Sequence, residues 1–374
     1  MLSISLLLNS FLLRAGNDKK TEPQYFFVGT YTNNGSEGIY IYSLDSATGK
    51  LSNLGLAGKS DNPSFLALNS NGKILLAVNE VKNEQSMGYI ESFNINPENH
   101  HLTVVNKVLS GGAHPCYVSV NQEGYVLAAN YSGGNVALFR MDGSGRLSNF
   151  IDIQQHFGHG INTARQGEPH VHSAYFEPSS HRIFVSDLGT DSVSVYSIKD
   201  EGNGTKLGKG AIPAVKIRPG SGPRHLAFHP NMKLVYVINE LSNDISVVVL
   251  NNDGSFTTIE TVSTLPKGYN KPSNCADIHI SNDGRFLYAS NRGYNTIAVF
   301  SVDQMNGKIK LIGQEPTRGD TPRNFTLSPN EDFLLVGNQN SQNIVSFRRD
   351  SKSGMLKYVD QIKAFKPICL LFCK

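Results

Sequence analysis

The stretch GSGPRHLAFHPNMKLVYVINE, residues 220–240, contains two short apolar runs separated by a turn. Both runs are rich in branched and aromatic residues, which is typical of β-strands. Arg224 and His225 begin the first run, and Asn239 and Glu240 end the second. Because the strands of a hairpin are antiparallel, the start of the first strand lies beside the end of the second. The sequence therefore predicts that Arg224 and Glu240 share one edge of the hairpin.

This two-run pattern recurs along the chain with a regular period, which is the signature of a repeat fold. Each copy ends in Asn or Asp, at intervals of 51, 57, 52, 52 and 47 residues. These residues are Asn79, Asn130, Asp187, Asn239, Asn291 and Asn338. The other copies are NPSFLALNSNGKILLAVNE (62–80), HPCYVSVNQEGYVLAANY (114–131), PHVHSAYFEPSSHRIFVSDL (169–188), NCADIHISNDGRFLYASNR (274–292) and TPRNFTLSPNEDFLLVGNQ (321–339).

Each copy continues with a polar turn, an alternating run such as NDISVVVL (243–250) and a fourth, less regular run. Four short antiparallel strands in each unit of about 40–50 residues are typical of propeller blades. The N-terminal segment supplies strands two to four of a further unit, and FKPICLLFCK (365–374) supplies its first strand. We therefore predict an all-β, seven-bladed β-propeller over residues 23–374, forming a single domain. Its blades are four-stranded and antiparallel, and the C-terminal strand closes the ring by joining the N-terminal blade.

Composition and charge favour a globular protein that acts on small molecules. The 374 residues carry a formal net charge of +3 without a run of five like charges, so no nucleic-acid partner is expected. The four cysteines show no zinc-binding spacing, and we expect no metal and no cofactor. Residues 1–22 are interpreted as a possible signal peptide and linker; their apolar run is too short to span a membrane. The protein is expected to be exported or periplasmic if this leader is cleaved, and cytoplasmic otherwise.

Aligning the units assigns two positions of each blade to one mouth of the central channel, which the first strands line in a propeller. At the start of strand one stand Ser64, Cys116, His172, Arg224, Ala276, Arg323 and Ile368. Just after strand two stand Tyr31, Glu80, Tyr131, Leu188, Glu240, Arg292 and Gln339. Buried charges are costly unless they are paired. This set therefore predicts either a salt-bridge network that seals the mouth or a site for an anionic ligand bound by arginines.

Other histidines and nucleophiles give weaker indications. His170 and His172 could form a metal pair, but no third ligand can be assigned from the spacing. His225 and His229 flank a blade core and are interpreted as structural. No G-x-S-x-G sequence and no assignable Cys/His pair is present, so covalent catalysis is not expected.

The chain resembles the seven-bladed β-propeller lactonase family, which includes propeller-type 6-phosphogluconolactonases and is related to carboxy-muconate cyclising enzymes. The resemblance extends from about residue 25 to 372 and rests on FVGTYT, AANYSGGNVAL, GPRHLAFHP, YVINE, LYASNRGYNTIAVF and KPICLLF. It implies hydrolysis of 6-phosphogluconolactone to 6-phosphogluconate, a step of carbohydrate metabolism in the pentose phosphate pathway. A His–Arg–Glu–Arg set of the muconate-cyclising relatives carries over onto His172, Arg224, Glu240 and Arg292, with His170 an equal candidate for the histidine.

Residue chemistry suggests roles for this set. We expect His172 to take a proton from water, because an unperturbed histidine titrates near neutrality, with Glu240 orienting the histidine or the substrate. Arg224 or Arg292 would stabilise the oxyanion. The residues expected to bind the anionic lactone are His170, Arg323, Gln339 and Tyr131. The alternatives are a lactonase or cyclase for a non-phosphorylated or muconate-type lactone, and a non-catalytic binding scaffold.

Overall fold

A computed structural model of the protein describes residues 22–33, 35–178, 181–202, 204–230 and 233–374. The predicted leader, residues 1–22, lies outside these ranges except for its last residue. Within the described residues, 28 β-strands form seven four-stranded antiparallel sheets, and the single helical segment is a 3₁₀ turn, Leu188–Thr190. No helix in these ranges is both long and apolar enough to cross a membrane. The predicted all-β, seven-bladed propeller is confirmed.

Each blade follows the chain from an inner to an outer strand. Blades 1 to 3 contain β1 (Gln24–Thr30), β2 (Gly38–Leu44), β3 (Leu51–Lys59); β4 (Leu66–Leu68), β5 (Ile74–Asn79), β6 (Tyr89–Ile95), β7 (Leu102–Leu109); and β8 (Pro115–Val120), β9 (Tyr125–Asn130), β10 (Asn135–Arg140), β11 (Asp152–Gln155). Blades 4 and 5 contain β12 (Val171–Phe176), β13 (Arg182–Asp187), β14 (Ser192–Glu201), β15 (Gly204–Lys216); and β16 (Pro223–Phe228), β17 (Leu234–Asn239), β18 (Asp244–Leu250), β19 (Phe256–Ser263). Blades 6 and 7 contain β20 (Asn274–Ile280), β21 (Phe286–Arg292), β22 (Thr296–Val302), β23 (Ile309–Pro316); and β24 (Pro322–Leu327), β25 (Phe333–Asn338), β26 (Asn343–Arg349), β27 (Leu356–Lys363).

The last strand, β28 (Pro367–Phe372), is the inner strand of blade 1 and pairs with β1. Phe26 lies opposite Phe372, and Val28 lies opposite Leu370. The two ends of the chain therefore share one sheet, which removes the open edge that β1 would otherwise present.

The apolar core consists of seven clusters, one between each pair of adjacent blades. In the cluster between blades 5 and 6, for example, Tyr236 and Ile238 pack with Leu287 and Phe300. Each blade is thus covered on both faces by its neighbours, which explains why its middle strands are apolar along their whole length.

The Asn residues that mark the repeat connect neighbouring blades. Asn130, Asn291 and Asn338 are fully buried, and each donates from Nδ2 to a backbone carbonyl just after the outer strand of the preceding blade. The acceptors are Ser110 O, Thr264 O and Thr317 O, at 3.0, 3.1 and 2.9 Å. The residue that revealed the repeat is therefore structural.

A β-bulge begins several inner strands and determines where their first side chains point. In blade 5, Pro223 pairs with Asn239 and His225 with Ile238, so Arg224 is the extra residue. The register shifts in the same way at Cys116, His172 and Arg323. A bulged residue leaves the strand ladder, and its side chain is re-aimed. The positions assigned to the channel mouth from the repeat are thus bulge positions in these blades.

Candidate active site

A cavity of about 220 Å³ lies at the channel mouth. Eight of its nine lining residues occupy positions that the repeat predicts; Arg165 is the exception. The lining residues are Tyr31, Glu80, Cys116, Tyr131, Arg165, His172, Glu240, Arg292 and Arg323. Three guanidiniums and two carboxylates leave the lining with one excess positive charge. Such a cavity favours an anionic ligand.

Glu240 is at the centre of the charged groups and is only 4% exposed. Arg165 Nη2 lies 2.6 Å from its Oε1, while Arg224 Nε and Arg292 Nη2 lie 3.1 and 2.9 Å from its Oε2. Burial alone would raise the pKa of Glu240, but Arg292, Arg224 and Arg165 outweigh it and lower the pKa to about 2. The carboxylate is therefore ionised at neutral pH, and the predicted closeness of Arg224 and Glu240 is confirmed.

Arg224 lies behind this carboxylate and is not part of the cavity lining. Its side chain is buried, and its Nη1 donates to Ala276 O at 2.6 Å and to His225 Nε2 at 3.2 Å. These bonds fix the guanidinium in the channel wall. Its position suits a support for Glu240 better than direct contact with a substrate.

His172 faces the carboxylate from the neighbouring blade. Its Nε2 is 4.0 Å from Glu240 Oε2, and its Nδ1 is 3.7 Å from Cys116 Sγ. Burial, together with the charge of Arg224 and the nearby His225, lowers the pKa of His172 well below its ordinary value. The ring is therefore neutral, and its contact with Glu240 is not an ion pair. The expectation of an unperturbed histidine pKa is wrong, because the site excludes water from the ring.

His170 and Gln339 do not line the cavity. The His170 ring stacks on Tyr131 with centroids 4.4 Å apart, and its Nδ1 is 3.2 Å from Tyr131 O. Tyr131 itself does line the cavity and presents its ring edge-on to His172. Of the two candidate histidines, His172 is the one that lies beside Glu240.

Two arginines of the lining have donors available for a ligand. The Arg323 guanidinium lies 5.7 Å from the centroid of the Tyr31 ring. In the described part of the chain, no carboxylate lies within 4.0 Å of it, since Glu80 accepts instead from Tyr31 Oη at 2.9 and 3.0 Å. The Nε of Arg292 is buried without a hydrogen-bond partner in these residues. An anionic or carbonyl oxygen in the cavity would satisfy both groups.

Arg165, which the repeat does not predict, comes from the loop 156–170 between blades 3 and 4. Buried Gln166 anchors this loop by donating from Nε2 to Leu188 O and Asp191 Oδ1, both at 2.8 Å. The one sequence signal for the loop is the spacing of 57 residues between Asn130 and Asp187, the longest of the five intervals.

A thiol nucleophile and a metal centre find little support in the arrangement. Burial raises the pKa of the Cys116 thiol, whose Sγ lies 3.4 Å from the acceptor His172 O. Among the described residues, no group of three His, Cys, Asp or Glu side chains could hold a metal ion. The residues at the mouth are instead suited to binding an anion and moving a proton.

A seven-bladed ring with a charged cavity at one channel mouth defines a propeller with a polar small-molecule site. The model of the family "Lactonase, 7-bladed beta-propeller" matches residues 25–372, and the chain belongs to that family. It is 38% identical over 349 residues to the 6-phosphogluconolactonase of Bacillus subtilis, covering 92% of this chain and 97% of that protein. It is also 38% identical over 339 residues to the 6-phosphogluconolactonase of Formosa agariphila, covering 90% and 95%.

Solved structures give the same relationship. The periplasmic gluconolactonase of Pseudomonas aeruginosa superposes with a TM-score of 0.89 at 32% identity, covering 94% of this chain and 99% of that one. The resemblance inferred from the sequence is thus confirmed, and the relatives of this chain are lactone hydrolases.

Proposed function

We propose that this protein hydrolyses a sugar lactone, with 6-phosphogluconolactone as the substrate and 6-phosphogluconate as the product, in the pentose phosphate pathway. One observation carries the proposal: within a lactonase propeller, the cavity has excess positive charge and presents Arg323 without a carboxylate partner. A guanidinium with free donors binds phosphate or carboxylate oxygens in a forked geometry. The relatives named 6-phosphogluconolactonase support a phosphorylated substrate.

The proposed mechanism uses the neutral imidazole of His172. Water attacks the lactone carbonyl while His172 accepts a proton from it, and the Glu240 carboxylate, 4.0 Å from Nε2, stabilises the resulting imidazolium. The open Nε–H of Arg292 stabilises the oxyanion. Collapse of the tetrahedral intermediate breaks the bond to the ring oxygen, which takes the proton back from His172. The products are a hydroxyl group and a carboxylate, and no covalent enzyme intermediate forms.

A non-phosphorylated aldonolactone is the second candidate substrate. The observation in its favour is the close structural similarity to the periplasmic gluconolactonase, with a TM-score of 0.89. In that case Arg323 would contact hydroxyl groups of the sugar instead of a phosphate.

The test compares 6-phosphogluconolactone, glucono-δ-lactone and a muconolactone, with spontaneous hydrolysis subtracted, for the wild type and Arg323→Gln. Loss of a charged hydrogen bond should raise KM for the phosphorylated lactone about 10- to 100-fold and leave glucono-δ-lactone nearly unchanged. Arg318→Gln, at a half-exposed arginine paired with Glu315, is the matched control.

Each alternative has its own outcome. Higher kcat/KM for glucono-δ-lactone, with no selective effect of Arg323→Gln, would replace the phosphorylated substrate with the second candidate. Preference for the muconolactone would indicate a cyclase-type relative. The absence of catalysis above background for all three lactones would reject the enzymatic proposal and favour a binding scaffold.

A further inference from the structure

A chain of buried polar groups continues from Glu240 into the wall of the channel, away from the cavity. Arg224 Nε contacts Glu240 Oε2 at 3.1 Å, and Arg224 Nη1 contacts His225 Nε2 at 3.2 Å. His225 Nδ1 then contacts Asp277 Oδ1 at 2.7 Å. Arg224, His225 and Asp277 are each at most 3% exposed. Three consecutive buried contacts therefore link the candidate active site to Asp277 on the neighbouring blade.

The chemistry of these contacts fixes the protonation of His225. A guanidinium can only donate, so Nε2 of His225 must accept from Arg224 and cannot carry a proton. The ring proton therefore lies on Nδ1 and is donated to the Asp277 carboxylate. Burial, with the adjacent charge of Arg224, lowers the pKa of His225 to about 4, in agreement with a neutral ring.

Asp277 is itself held firmly, so that it can orient the histidine. It accepts from Ile278 N at 3.0 Å, from Asn324 Nδ2 at 2.5 Å and from His279 Nε2 at 3.1 Å. These donors, together with His225, keep the pKa of Asp277 below its ordinary value against the effect of burial. Residues of blades 5, 6 and 7 therefore meet at one carboxylate.

We propose that His225 and Asp277 are positioning residues for the active site. Asp277 selects the Nδ1–H tautomer of His225, this tautomer holds Arg224, and Arg224 holds the carboxylate of Glu240. The inference replaces the interpretation of His225 as a purely structural histidine. Its kinetic consequence rests on the proposed lactonase function, whereas the tautomer itself does not.

Protonation of His225 would break the link, because Nε2 would then direct a second N–H at the guanidinium. The charged or titratable groups that face this ring are Arg224 and Asp277 by direct contact, and His172 and Tyr117 with ring centroids each 5.4 Å away. His279 acts on it through the shared Asp277 carboxylate. Activity should therefore decline on the acid side as His225 gains its proton.

The kinetic test compares His225→Gln with His225→Leu. Glutamine can present an acceptor to Arg224 and does not titrate, whereas leucine fills the space without any polar contact. We expect His225→Leu to lower kcat about 10- to 100-fold, the effect of a small misplacement of reacting groups, while KM changes by less than about threefold. His225→Gln should keep kcat within about threefold of the wild type and lose the acid limb that is due to His225.

The matched control is His229→Gln, since His229 follows the same strand, is also buried and contacts Gly284 O. It should leave both kcat and the pH profile unchanged. Thermal unfolding of each variant confirms that the compared proteins are folded. An unchanged kcat in His225→Leu, or an equal loss in the leucine and glutamine variants, would overturn the proposal.

A second measurement is independent of activity. The ¹⁵N chemical shifts of the His225 ring in the full-length wild type should show a neutral ring with the proton on Nδ1 at pH 7. Asp277→Asn should shift the ring toward the Nε2–H tautomer, because the amide can donate to Nδ1. An imidazolium or an Nε2–H ring in the wild type would overturn the inference even if the enzyme is active. An inactive wild type with the Nδ1–H tautomer would reject the lactonase function and the catalytic role, while leaving the structural link intact.

Discussion

At the scale of single residues, Glu240 explains how several arginines can share one small buried space. Its carboxylate is contacted by Arg165, Arg224 and Arg292, so the mutual repulsion of the guanidiniums is partly neutralised. The sequence left two interpretations open, a salt-bridge network or an anion site. The structure contains the network and the cavity in the same place, and the ion pairs form one wall of the cavity. A network of this kind holds the donors in a fixed geometry before a ligand arrives.

The assignment of His172 as the base gives a prediction at this scale. His172→Gln removes the proton acceptor and should lower kcat for the preferred lactone about 10²- to 10⁴-fold, with a smaller change in KM. His170→Gln is the matched control, because His170 lies on the same strand start but outside the cavity, and it should stay within about threefold of the wild type. Steady-state kinetics with the background rate subtracted decides the matter. Activity of His172→Gln within twofold of the wild type would eliminate this base.

The sequence predicted which residues approach the mouth but not how deep each one lies. Alignment of the repeat correctly brought together His172, Glu240, Arg292 and Arg323. It could not separate Arg224, which points into the wall, from Arg323, which faces the cavity. Side-chain direction at a bulge depends on local backbone geometry and on the acceptors nearby, here Ala276 O and His225. Neither is visible in the apolar pattern.

At the scale of elements, the strands were the most predictable feature and the long connection the least. Strand positions follow from apolar alternation repeated at each turn, which many residues specify together. The loop 156–170 has no counterpart in the other blades, so the repeat gives no position for Arg165. Its conformation depends on single contacts, such as the hydrogen bond of 2.8 Å between His156 Nδ1 and Asp187 Oδ2.

The blade-linking asparagines give a prediction at the scale of elements. Asn338→Ala removes the donor to Thr317 O, leaving a buried carbonyl unpaired, and should lower the free energy of unfolding by about 1–3 kcal/mol. Asn340→Ala, two residues later and exposed, also loses hydrogen bonds, but water can replace them. Chemical denaturation of both variants measures the difference. Equal effects would show that the buried amide does not link the blades.

At the scale of the whole molecule, the ring has no single central core. Apolar side chains are buried between adjacent blades, while the channel is lined by inner strands and holds polar groups such as Asp277. Each blade therefore depends on both neighbours, and closure by β28 completes the cycle of interfaces at blade 1. The polar chain from Glu240 to Asp277 crosses from blade 5 to blade 6, so the site and the ring share contacts. Conditions that disturb these buried charges should act on the whole fold.

Acid is such a condition, and the direction of its effect follows from the buried groups. Above about pH 6.5, His225 is neutral in the folded and in the unfolded protein. Between pH 6.5 and about 4, the unfolded chain binds a proton that the folded protein does not, so stability falls with pH until the folded pKa of His225 is reached. The lowered pKa of His172 acts in the same direction. Glu240 extends the loss from its ordinary pKa of 4.5 down to about 2.

The resulting prediction is a stability loss between pH 7.5 and pH 5 that depends on His225. A single buried histidine with this shift contributes roughly 2 kcal/mol over that interval. Chemical denaturation at the two pH values should therefore show a smaller pH-dependent loss for His225→Gln than for the wild type. The exposed His101 provides the control, and His101→Gln should keep the wild-type dependence. If His225→Gln loses as much stability as the wild type on acidification, then the ring is not held neutral by the Arg224–Asp277 contacts, and another buried group controls the acid sensitivity of the ring.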